Sequence, residues 1–205
     1  MFALIDDQQI TKFFSGNKGV TIGDVQYPKS IFTLWSEAER NAIGIYEVTI
    51  DTTNKKDEAY YINTNVSYGV ESNKAVGSYG TATAKAHADT LYTAQDEIDG
   101  KGIEGEVATR GLKYNLIKTI KQQAAGELQN TDWYVVRKAD AGTAVPSSIT
   151  NHRAAVRTKA AAQETQITNA ADTPALETLY AYVNTGTEEN PVYERPLGEL
   201  PTLES

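Results

Sequence analysis

Five acidic residues, Asp96, Glu97, Asp99, Glu104 and Glu106, stand among three glycines, Gly100, Gly102 and Gly105. Carboxylates on a glycine-rich loop are the raw material of a calcium site. An EF-hand loop needs oxygen donors at alternate positions, glycine sixth and a bidentate Glu twelfth. Counted from Asp96, the third and fifth positions are Ile98 and Gly100, so the pattern fails and a solvated acidic stretch is expected. Gly100-Lys101-Gly102 lacks the four-residue spacing and the following Ser or Thr of a phosphate-binding loop. The absence of cysteine excludes thiolate metal sites, disulfides and cysteine nucleophiles. The two histidines, His87 and His152, are far apart in sequence, and no serine sits in a G-x-S-x-G elbow. The expectation is a protein with no catalytic residue, no metal and no cofactor.

The residues that invite pairing are Asp132, Trp133, Arg153 and Arg157. Arg153 and Arg157 are four apart, so on a helix they share a face. Asp132 is expected at the end of the preceding helix, where an antiparallel helix pair brings it to that face. A bidentate Arg–Asp pair would then fix the crossing, with Trp133 wedged in the corner. That chemistry is structural glue rather than catalysis.

These side chains need helices to hold them, and the periodicities supply helices in the C-terminal half. Leu112, Leu116, Ile120, Ala124 and Leu128 recur every four residues and predict a helix over 112–128. Trp133 to Val136 reads as an extended apolar run. Ser147 or Ser148 is expected to cap a second helix with the stripe Ile149, Val156, Ala160 and Ile167. Thr173 is expected to cap a third helix, with Pro174 at its first position and Leu176, Leu179, Tyr180 and Val183 as its buried face. The tail from Thr185, with Pro191, Pro196 and Pro201, is expected to lie extended along the body or a neighbour.

The N-terminal half reads as β. Met1–Ile5 and Ile10–Phe14 flank Asp6-Asp7-Gln8-Gln9 as a hairpin. Ser15–Pro28, with three glycines, reads as loop. Ser36-Glu37-Ala38-Glu39 is a capping box for a short helix that Gly44 should stop. Ile45–Asp51, Glu58–Tyr68 (period two) and Ala75–Lys85 read as strands of an antiparallel sheet. The organisation expected is α+β: a β-rich domain over 1–88, an acidic Gly-rich linker or partner-ordered loop over 89–110, a helical domain over 111–184 and an extended tail over 185–205.

The formal charge of -8 and the lack of a Lys/Arg cluster before the last helices argue against nucleic acid as partner. No apolar run approaches the roughly 20 residues of a membrane span, and Met1–Ile5 reads as a strand rather than a signal peptide. Twelve tyrosines against four phenylalanines suit half-buried strand positions or a contact surface.

Thr131-Asp132-Trp133, followed after about twenty residues by Arg153, Val156 and Arg157, resembles a motif of tail fibre and tail assembly proteins of tailed bacteriophages. In that family Thr-Asp-Trp precedes a helix beginning Trp-x-x-Tyr-Arg-x-x-Leu-Arg; here Ile149 and His152 stand at the two aromatic positions. Met1-Phe2-Ala3-Leu4-Ile5 and Val25-Gln26-Tyr27-Pro28 are similar to the starts of such proteins. The resemblance implies a virion tail or tail-fibre component that binds other tail or fibre proteins. It further implies several copies in a symmetric assembly, passing through the host cytoplasm while particles form. A non-structural assembly chaperone, absent from the mature virion, is the alternative, and a receptor-binding tail protein a further one.

Overall fold

The computed structural model describes residues 1–203. The chain is α+β and divides into two compact units, Met1–Thr83 and Ala84 onward.

In the first unit the order is β1 (Phe2–Asp6), β2 (Gln9–Phe14), β3 (Val20–Ile22), β4 (Val25–Tyr27), α1 (Ile31–Leu34), α2 (Glu37–Ala42), β5 (Ile45–Asp51), β6 (Tyr61–Ile62), β7 (Val66–Glu71) and β8 (Lys74–Tyr79). Five strands form one sheet in the order β2-β1-β5-β8-β7. All neighbours are antiparallel except β5 and β8, which run parallel with Val48 opposite Ala75 and Asp51 opposite Ser78. β5 uses Ile45–Glu47 against β1 and Val48–Asp51 against β8, so it joins two hairpins.

The sheet curls until its edge strands meet. Phe13 of β2 and Tyr68 of β7 pack edge to face with ring centres 5.0 Å apart. The two hairpin turns also touch, Gln8 Nε2 donating to Asn73 Oδ1 at 2.9 Å. Both turns are left-handed at two non-glycine residues, Asp7 and Gln8 at φ +46° and +62°, Ser72 and Asn73 at φ +48° and +60°. That handedness matches the twist of the flanking strands, which is why two-residue hairpins use it. The buried residues of β8 are both small, Ala75 and Gly77. A Cβ on Gly77 would lie 2.7 Å from Ile50 Cδ1 and 2.8 Å from both Tyr68 Cε1 and Val66 Cγ1. Beside this, Phe14, Val20, Ile31, Phe32 and Ile45 form the core, with Phe2, Leu4, Tyr27 and Trp35 against it.

The Ser36–Glu39 capping box forms as the sequence indicates, with Ser36 N donating to Glu39 Oε2 at 2.8 Å, and Gly44 follows the helix at φ +80°. Three expectations fail. The strand expected over Ala75–Lys85 ends at Tyr79, and Thr83–Ala84 lies outside the five-stranded sheet. Residues 20–27 are not loop but the small hairpin β3–β4. Glu58–Tyr68 is not one strand. Asp57 Oδ1 accepts the Ala59 amide at 2.8 Å and its carbonyl accepts those of Tyr60 and Tyr61, while the Asn63 side chain clamps the Lys56 N–H and C=O. These local side-chain bonds outcompete the ladder that a period-two pattern would otherwise support.

In the second unit come β9 (Thr83–Ala84, at the boundary), β10 (Thr90–Leu91), α3 (Ala94–Ile98), β11 (Val107–Thr109), α4 (Leu112–Gln129), α5 (Asp132–Ala141), α6 (Ser147–Asn169), α7 (Thr173–Tyr180), β12 (Val183–Asn184) and β13 (Tyr193–Glu194). α4 and α6 form an antiparallel pair. Lys113 Nζ donates to the Thr168 carbonyl at 2.8 Å, Lys121 pairs with Glu164 at 3.4 Å, and Arg153 reaches the Leu128 carbonyl at 2.9 Å. Ile120 and Ala124 meet a stripe of Ile149, His152, Val156, Ala160, Gln163 and Ile167, all buried.

The acidic stretch is structured by its own side chains. β10 and β11 pair across it, and Thr93 and Asp96 form a second capping box at α3, with Thr93 N donating to Asp96 Oδ2 at 3.0 Å. Asp89 accepts the Gly111 amide at 2.8 Å and the Arg110 guanidinium at 2.6 Å.

Three helix ends differ from the sequence reading. Asp172, not Thr173, caps α7, its Oδ1 accepting the Ala175 amide at 2.8 Å; Thr173 is buried and donates to the Lys85 carbonyl at 2.7 Å. Pro146 precedes α6, and neither Ser147 nor Ser148 caps it. Val183 leaves the buried face of α7 for β12 and is exposed. The tail returns to the body at Leu197, which is fully buried; its amide donates to the Leu179 carbonyl at 3.0 Å, and Gln163 Nε2 donates to the Gly198 carbonyl at 2.8 Å.

Candidate functional site

The joint between α4 and α5 is built by Thr131. Its amide and hydroxyl both donate to the Leu128 carbonyl, at 3.0 and 2.8 Å. This turns the chain and leaves Asp132 as the first residue of α5, where a carboxylate suits the positive end of the helix. Trp133-Tyr134-Val135-Val136 is therefore helical and not the extended run expected. The turn at Thr131 and the left-handed stop at Gly142, φ +68°, bound ten residues whose aromatic and β-branched types read as strand only out of context.

From α6, Arg153 Nη1 lies 2.8 Å from Asp132 Oδ1, 2.7 Å from Thr131 Oγ1 and 2.9 Å from the Leu128 carbonyl. The guanidinium thus sits on the carbonyl end of α4, where a cation is favoured. The Arg153 side chain is 14% exposed and the Asp132 side chain 57%. Of the four residues singled out by sequence, the structure brings Asp132 and Arg153 together. Arg157 does not join them: it is exposed and makes no hydrogen bond or ion pair among the described residues. Trp133 is not wedged in the corner either, being 51% exposed.

Trp133 instead starts a surface cluster. Its ring stacks on Tyr134 at 3.8 Å between centres, and the Arg137 guanidinium lies 4.6 Å over Trp133 and 5.4 Å over Tyr134. The buried Arg137 Nε has no hydrogen-bond partner. Val136, 65% exposed, extends the patch. Tyr134 and Arg137 escape a reading that looks for strand, although the four-residue spacing of Trp133 and Arg137 is visible in the sequence. A fixed Trp–Tyr–Arg surface has the residue types that dominate the energetics of protein contacts.

Among the described residues no three His, Asp or Glu converge at metal-binding distance, and no helix is long and apolar enough to cross a membrane. The perturbed carboxylates lie at the capping and loop sites. Asp96 is lowered to about 2 by the Thr93 amide, then the Thr93 hydroxyl and Lys101; Asp89 is lowered by the Gly111 amide and then Arg110; Glu39 is lowered by the Ser36 amide and hydroxyl. Each is explained by local architecture. Comparison of the chain with family models, with curated proteins and with solved structures gives no match in any of the three.

Proposed function

We propose that the chain is a protein-binding component of a bacteriophage tail or tail fibre, contacting other virion proteins through the α5 surface. The observation that carries this reading is the stacked Trp133–Tyr134–Arg137 cluster, half exposed on a helix anchored by Arg153. Large rigid side chains held in one arrangement lose little conformational freedom on binding. The motif that places the phage tail in view, Thr131-Asp132-Trp133 with Arg153, occupies this joint.

The test is mass spectrometry of purified particles of the phage that encodes the chain. Detection at a copy number matching the tail symmetry supports a structural role; absence from intact particles overturns it.

A further inference from the structure

We infer that copies of this chain associate head to tail, the β12–β13 hairpin of one copy seated on the outer face of α4 of the next. Both strands of the hairpin are exposed at every residue. Tyr182 and Tyr193 are 62% and 64% exposed, with Val192 and Val183 beside them. A two-stranded hairpin without a packed face is marginal in water. This one is nonetheless shaped in advance: Asn184 Oδ1 accepts the amides of Gly186 and Val192, both at 3.0 Å, and Thr185 N donates to the Val192 carbonyl at 2.7 Å. Its charges are all negative, Glu188, Glu189 and Glu194.

The outer face of α4 has the opposite character. Tyr114, Ile117, Lys118, Lys121, Gln122 and Ala125 line a shallow, mostly apolar groove flanked by the two lysines. The asymmetry extends along the chain. Residues 112–159 hold eight Lys and Arg against three Asp and Glu, net +5; residues 160–205 hold one Arg against eight acids, net -7. An occupant of the α4 face should be apolar and acidic, and the chain carries such an element in its own hairpin. The exposure of Tyr182 and Tyr193 shows that the hairpin does not cover the α4 face of its own chain. The segment behind it is tied to α6 and α7 through Leu197 and Gly198, which leaves the hairpin projecting.

Because the two surfaces differ, the contact is heterologous. It closes a ring if the rotation permits and otherwise propagates as a filament. The inference does not rest on the phage reading, and a particle lacking the chain would leave it standing.

Sedimentation velocity and light scattering of the full chain, from about 1 to 100 µM, test it. The expected result is a mass that rises above the monomer with concentration at low salt and falls at high salt, as screening of exposed charge requires. Lys118→Glu with Lys121→Glu, and separately Glu188→Lys with Glu189→Lys, should each weaken association at least tenfold. An equimolar mixture of these two charge-reversed proteins should associate again, because the reversed α4 face of one meets the reversed hairpin of the other and the two unaltered surfaces meet at the next contact; combining all four substitutions in one chain should likewise restore self-association. Unchanged circular dichroism of each variant shows that folding is not the cause. A chain that stays monomeric at every concentration and salt, or an oligomer insensitive to both reversals, overturns the proposal.

Discussion

Arg153 and Thr131 meet at 2.7 Å, and through that contact α6 holds the end of α4 and the start of α5. The guanidinium also reaches the Leu128 carbonyl and Asp132, and of the two charged groups Arg153 is the enclosed one. The two halves of the ion pair should therefore differ in weight. Arg153→Ala removes charge-assisted bonds from a sheltered joint and should cost about 1–3 kcal/mol. Asp132→Ala removes an exposed partner and should cost under about 1 kcal/mol. Urea unfolding followed by far-ultraviolet circular dichroism distinguishes them, and equal losses would contradict this account.

Trp133→Ala should separate contact from folding. The ring is half exposed, so stability should change by under about 1 kcal/mol, chiefly through the lost stacking with Arg137. Capture of tail proteins by the immobilised chain should fall at least tenfold, as expected for a hot-spot aromatic. Undiminished capture would remove α5 as the contact surface.

Gly77 should resist substitution where Gly69 does not. A Cβ at Gly77 meets Ile50, Tyr68 and Val66 within 2.8 Å, whereas one at Gly69 meets nothing within 4 Å. Gly77→Ala should destabilise the first unit by about 1–3 kcal/mol through overpacking. Gly69→Ala should be neutral or slightly stabilising. Chemical denaturation of the two variants decides the matter.

The α3 capping box gives a pH dependence. Asp96 has its carboxyl lowered from 3.8 to about 2, first by the Thr93 amide, then by the Thr93 hydroxyl and Lys101. A carboxyl depressed by folding contributes stability that is complete above its unfolded value and disappears as pH falls through the folded one. Protection of the 93–101 segment should thus be full above pH 3.8 and lost as pH falls towards about 2. Carboxyl-carbon NMR titration of Asp96 reads the value directly, and an ordinary aspartate midpoint would contradict it. Asp96→Asn should weaken the dependence, leaving the part contributed by Asp99, whose carboxyl is also lowered, by the Gln95 side chain and then by Lys101.

The legible parts of the sequence were those settled by neighbours. The Ser36–Glu39 box, the hairpin at Asp6–Gln9 and the α4 stripe each involve residues within a turn or two of one another, and each forms. Asp132–Arg153 is a contact across 21 positions, reachable from sequence only by supposing an antiparallel helix pair. The readings that failed did so where a single side chain redirects the backbone. Asp57 and Asn63 break the expected strand, Thr131 starts a helix where Trp133–Val136 suggests extension, and Asp172 displaces Thr173 as the cap. The acidic stretch looked structureless because its glycines and carboxylates are loop types, yet those carboxylates are its internal hydrogen-bond acceptors.

The parallel pairing of β5 with β8 sets an order of events during synthesis. The β1–β2 and β7–β8 hairpins close between adjacent segments and can form quickly, whereas β5 and β8 are separated by more than twenty residues and must find each other afterwards. On the ribosome the first hairpin emerges well before the second. Until β8 arrives, the outer edge of β5 is an open template, so crowding of nascent chains should favour strand exchange between neighbours at that edge. A one-residue slip there would turn Ala75 and Gly77 outward and drive Val76 into space only small side chains fill, so the two small residues act as a proofreading device for strand alignment.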